Sequence, residues 1–136
     1  MQRFTAQIAY YLEMFRRGDV DNAFHGLLEM DRDILPELIT AFKSERDIGV
    51  RVFFVEVIGE YREQSVIPFL GELLFDTETR VWRAALSGLV TLASAAAIEV
   101  LRAARARQFS TQRETEEFRG WLDEAIGQAE IERQKT

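Results

Sequence analysis

"SVIPFLGELLFDTETRVWRAALSGL", Ser65 to Leu89, reads as one helical hairpin. Pro68 falls at the start of an apolar helix, where its missing N–H would have no intrahelical partner in any case. Asp76-Thr77-Glu78-Thr79 interrupts the pattern, and a second helix opens at Arg80-Val81-Trp82 and closes at Gly88. Apolar spacings of three and four on both sides of the break specify helix rather than strand. Neither helix is long enough to stand alone in water, so the hairpin needs something to stack on.

The same chain supplies it. "ILPELITAF" (Ile34–Phe42) lies over "VIPFLGELL" (Val66–Leu74), with Pro36 and Pro68 separated by 32 residues. "RVFFVEVIG" (Arg51–Gly59) lies over "RVWRAALSG" (Arg80–Gly88) at an offset of 29 residues. The offsets differ because the turn "KSERDIG" is longer by three residues, a change that loops tolerate. Asp33 and Ser65 are placed to cap the two first helices. Ser44 with Asp47, and Thr111 with Glu114, have the spacing of a helix start. Degenerate hairpins flank the pair, the N-terminal one divided at Gly18. The expectation is an all-α chain without sheet, about eight helices in four antiparallel hairpins spanning 3–31, 33–62, 65–93 and 94–129. A polar tail, 130–136, is expected to fray.

The I/V-x-P-x-L-x-x-x-L/F first helix, the turn acids Asp47 and Asp76, and the Arg-led second helix ending in Gly resemble HEAT repeats. The two middle hairpins carry the resemblance, about half the chain, and the outer hairpins take the place of caps. It implies a single domain folded as a short α-solenoid, with the second helices lining a concave face.

The chain has 136 residues, 47% hydrophobic and 29% charged, within the range of one globular domain. It lacks Cys, which excludes disulfides and thiolate sites. A net charge of -6 disfavours phosphate backbones and favours a basic partner. Glu13 interrupts the N-terminal apolar pattern, so no signal peptide is read there, and no stretch approaches a membrane span. A soluble, cytoplasmic protein is expected, with no membrane and no nucleic acid among its partners.

No catalytic constellation is found, and neither an enzyme nor a cofactor or metal site is expected. His25 is the only histidine and has no second ligand to work with. The Ser and Thr residues lack a nucleophile elbow, the glycines are scattered, and the neighbours Glu116 and Glu117 point to different sides of a helix. Arg102, Arg105, Arg107 and Arg113 form a local basic patch, read either as a solvated helix end or as a nucleic-acid surface. Trp121 and Phe118 follow core spacing with Leu122 and Ile126.

The second helices hold the candidate partner-binding residues. Glu56, Glu60 and Glu63 share one side of a helical wheel, flanked by Val52 and Phe53. The next helix presents Arg80, Arg83, Ser87 and Thr91. These stripes either pair with one another or form a groove anchored by an aromatic, Trp82 or Phe53. The repeat also sets Phe54 and Ile58 against Arg83 and Ser87, so the first of these helices would expose apolar residues unless it is turned differently. A non-enzymatic module that captures a basic protein is therefore expected. By resemblance to small HEAT-like immunity proteins of bacterial toxin systems, the captured protein could be a toxin domain. The alternatives are a bilin-type lyase or chaperone, which would need Phe53, Phe54 and Trp82 in an apolar cleft, and an assembly subunit of a larger complex.

Overall fold

A computed structural model of the chain describes residues 3–135. Among the described residues eight α-helices follow one another: α1 (Thr5–Arg16), α2 (Val20–Leu28), α3 (Leu35–Ser44), α4 (Ile48–Glu60), α5 (Ile67–Leu73), α6 (Thr79–Leu92), α7 (Ala95–Ala103) and α8 (Gln112–Gln134). The described residues contain no strand. Each odd-numbered helix packs on the even-numbered one that follows it, and α2, α4, α6 and α8 pack in sequence side by side. This is a short α-solenoid of helical hairpins, with first helices in one layer and second helices in the other.

The helix starts differ in detail from the expected caps. α3 and α5 are each entered through a single 3-10 turn, Arg32–Ile34 and Gln64–Val66. That tight turn moves the start of the coil upstream, so Asp31 rather than Asp33 is the cap, accepting from the Asp33 N–H at 2.8 Å. Ser65 lies inside its turn and caps nothing. Ser44 closes α3, its hydroxyl donating to the Thr40 and Ala41 carbonyls, while Asp47 caps α4 through the Val50 N–H at 3.0 Å. Thr111 does cap α8, accepting from the Glu114 N–H at 3.1 Å and donating to its carboxylate at 2.9 Å. The expected fraying tail is helical through Gln134: Ala129 is buried, and Glu130 pairs with Arg102 of α7.

α4 sits at the centre. Val50, Phe53, Phe54, Val55, Val57, Ile58 and Gly59 are all buried, so the helix is covered on nearly every side. α2, α3 and α6 pack on it, and Phe15 of α1 stacks on Phe53 at 4.3 Å. Phe54 and Ile58 therefore present no apolar contact surface. The recurrent closing glycines have a steric cause. A Cβ built on Gly59 would lie 3.1 Å from the Gly88 Cα, so α4 and α6 meet backbone to backbone at these residues. Gly120 and Gly127 of α8 have nothing within 4 Å of such a Cβ.

Tyr61, just beyond α4, ties the first hairpin to the second. Its hydroxyl reaches the carbonyls of Leu27 and Met30, the latter at 3.0 Å, at the end of α2. Burial, reinforced by the nearby Asp31 carboxylate, pushes its pKa up to about 12.

Gly59→Val should destabilise by about 1–3 kcal/mol, because α6 must retreat. Gly120→Ala and Gly127→Ala should each stabilise by about 1 kcal/mol through helix propensity; urea unfolding of the variants checks both signs. Tyr61→Phe should cost about 1–2 kcal/mol at neutral pH. In the wild type the fold favours the neutral phenol, so that stabilisation is complete below pH about 10 and is lost as pH rises through about 12. Melting curves across that range should fall more steeply for wild type than for Tyr61→Phe.

Candidate functional site

α4, α6 and α8 enclose a groove of about 530 Å³ on the second-helix face. Val52 and Glu56 of α4 form one wall, Arg80, Arg83 and Ser87 of α6 the floor, and Trp121, Glu124 and Gln128 of α8 the other wall. The charges thus alternate across it: acidic on α4, basic on α6, acidic on α8.

The predicted residues divide between this groove and the rest of the molecule. Glu56, Arg80 and Arg83 line it. Phe53 and Trp82 do not: they are only 2% and 3% exposed, Phe53 stacked on Phe15 and Trp82 edge-on to Phe118 at 4.9 Å. Neither can anchor a partner, because both already fill the core between hairpins. The aromatic of the groove is Trp121, 40% exposed and not in the core of the last hairpin as its spacing suggested. The buried stripe of α8 is Thr115, Phe118, Leu122, Ala125 and Ala129. Trp121 is about 100° round the helix from Leu122, on the flank that faces α6, and Gln128 falls beside it seven residues on.

The acidic stripe also breaks up. α4 ends at Glu60, and Arg62 takes a left-handed backbone (φ 57°), so Glu63 leaves the wheel. Glu63 turns to Arg32 at 3.6 Å, while Glu60 lies 3.4 Å from Arg62. Only Glu56 remains in the groove. Although Glu56 is exposed to water, partial desolvation by the groove around it raises its pKa, and the positive charge of Arg80 opposes that shift.

Two of the four arginines of the basic patch are paired with acids. Arg102 pairs with Glu130 and Arg105 with Asp123, both on α8. Arg107 donates to the Leu74 carbonyl at 2.6 Å and lies over the Phe109 ring at 3.9 Å. Burial lowers its pKa, with Asp76 acting in the opposite direction. Phe109, between α7 and α8, escaped notice in the sequence because it belongs to no helical stripe. His25 is exposed, edge-on to Phe24 at 5.6 Å. Among the described residues no group of three or more His, Cys, Asp or Glu converges to hold a metal ion. None of their helices is long and apolar enough to cross a membrane.

The least exposed of the charged pairs links consecutive hairpins. Arg51 of α4 meets Asp76, in the turn before α6, at 3.1 Å; the two side chains are 22% and 15% exposed. Asp76 also accepts from the Glu78 N–H at 2.9 Å, and the Arg51 guanidinium lies over the Phe42 ring at 4.5 Å. The turn acid and the leading arginine of the repeat are thus spent on stacking one unit against the next.

Stacked hairpins joined in this way define an α-solenoid. Residues 35–117 match the model of HEAT repeats, and the chain belongs to that family. No curated protein and no solved structure matches it.

Arg51→Gln should destabilise by about 2 kcal/mol, since it strands a largely buried Asp76, whereas Arg80→Gln should stay within about 0.5 kcal/mol of wild type. Denaturant titration of the two variants makes the comparison. Glu56→Gln adds a sign test. The folded carboxyl has a raised pKa, so its stabilisation is present below the unfolded value near 4.5 and lost as pH rises. The variant should therefore melt slightly above wild type at pH 7, and this advantage should vanish at pH of about 3.5.

Proposed function

We propose that the chain is a non-enzymatic protein-binding module, and that its binding surface is the groove between α4, α6 and α8. A HEAT-repeat scaffold can serve protein–protein interaction. The observation that carries the reading is the exposure of Trp121 under Arg83, whose guanidinium lies 3.9 Å from the ring centroid, on one wall of the groove. Arginine and tryptophan are enriched among residues that dominate binding energy.

The net charge of -6 supports a partner that is basic overall, since the long-range field would speed its approach. Within that reading, neutralisation of a basic toxin remains the more specific proposal, resting on size, charge and fold alone. The small-ligand reading loses its residues, because Phe53, Phe54 and Trp82 are all buried.

Filling the groove tests the proposal. Protein retained from a native-cell lysate by wild type should be lost by Ser87→Trp and kept by Arg113→Glu, which lies away from the groove. Both variants should melt like wild type. Equal recovery on all three would remove the groove from the proposal. A quench of Trp121 by added tetrapyrrole, with no protein retained, would favour the small-ligand class.

A further inference from the structure

Two copies of one repeat arginine meet different fates. Arg51 and Arg80 lead consecutive second helices, 29 residues apart. Arg51 is consumed by Asp76, from the turn of the following hairpin, at 3.1 Å. The next turn offers Arg80 no acid: it reads Arg107-Gln108-Phe109-Ser110-Thr111, and Phe109 stands two residues before the cap of α8, as Asp76 stands two before that of α6. Arg107 occupies the space over Phe109. Arg80 is turned into the groove instead, exposed and with no ion pair to any described residue.

Arg83 is one turn further along the same side of α6. Its guanidinium is held on Trp121, which leaves its N–H donors without a protein acceptor among the described residues. Two guanidinium groups therefore line the same groove with no hydrogen bond to any described residue. One of them is already immobilised, so less side-chain entropy remains to be lost on binding. Glu56 and Glu124 flank them on α4 and α8, which keeps the positive strip narrow. A polyanion laid across it would meet both carboxylates, which favours a ligand with a single acidic group.

We propose that the groove takes one acidic side chain of its protein partner, seated between Arg80 and Arg83, with an adjacent apolar residue of the partner against Trp121. The inference rests on the reading of this groove as the binding surface, and names what it recognises. In effect the partner supplies the acid that the last turn of the solenoid lacks. A partner of net positive charge satisfies both requirements, since the field of the whole chain governs approach and the local strip governs seating.

The test is selection of a displayed library of random 12-residue peptides on the full-length chain, followed by synthesis of the selected sequences. Peptides bound by wild type should be enriched in Asp or Glu beside an apolar residue. Exchanging that acid for its amide should weaken binding roughly 10- to 100-fold on wild type and less than about twofold on Arg80→Gln/Arg83→Gln. Enrichment in Lys or Arg, with binding abolished by Glu56→Gln/Glu124→Gln, would overturn the carboxylate inference while leaving the groove as the binding surface. Selection of no peptide, or only of peptides indifferent to Ser87→Trp, would overturn both. Thermal melts of each variant establish that a loss of binding is not a loss of fold.

Discussion

The backbones of α4 and α6 come together at Gly59 and Gly88, where one methyl group would already be crowded. Two helices that approach this closely share a strip of surface without side chains between them, and their flanking residues must interlock around it. The consequences spread outward. Phe53, Phe54, Val55 and Ile58 on α4, and Val81, Trp82, Ala85 and Leu89 on α6, are sealed in the core around that crossing. What is left over on α6, away from the crossing and between α4 and α8, becomes the floor of the groove.

Charged residues divide the labour in a way that composition alone conceals. Some hold the stack: Arg51 with Asp76 between hairpins, and Arg102 and Arg105 with the acids of α8. Others, Arg80 and Arg83 with Glu56 and Glu124, gather on one concave surface. The largely buried pair works at the cost of desolvation and depends on good geometry, which the extra bond from Glu78 to Asp76 supplies. The exposed arginines cost the fold little and contribute little to it. Their position, rather than their contribution to stability, gives them their interest.

The repeat itself was plainly legible. Proline at the head of a first helix, an acid in the turn, and arginine then glycine on the second helix each have a local physical reason, so they mark the same places in sequence and structure. The groove was legible only in part. Glu56, Arg80 and Arg83 were identified because the periodicity of α4 and α6 assigns them to one side. Phe53 and Trp82 were misplaced because an aromatic on the edge of a stripe is exposed or buried according to its neighbours, and those neighbours lie in other hairpins. Trp121 failed in the opposite sense, for the same reason. Glu63 was lost to a left-handed arginine, a backbone conformation that carries no reliable signature outside glycine and asparagine.

The enclosure of α4 bears on how the protein is made. Most helices of a solenoid have one face for the core and one for water, so a partly synthesised chain can turn its apolar side inward and wait. α4 leaves little but Glu56 and Glu60 for water, and α6, which covers it at Gly59, begins at Thr79. A nascent chain that has just released Tyr61 therefore carries an apolar rod with one of its sides still unroofed. That side stays uncovered until the residues from Thr79 onward have emerged.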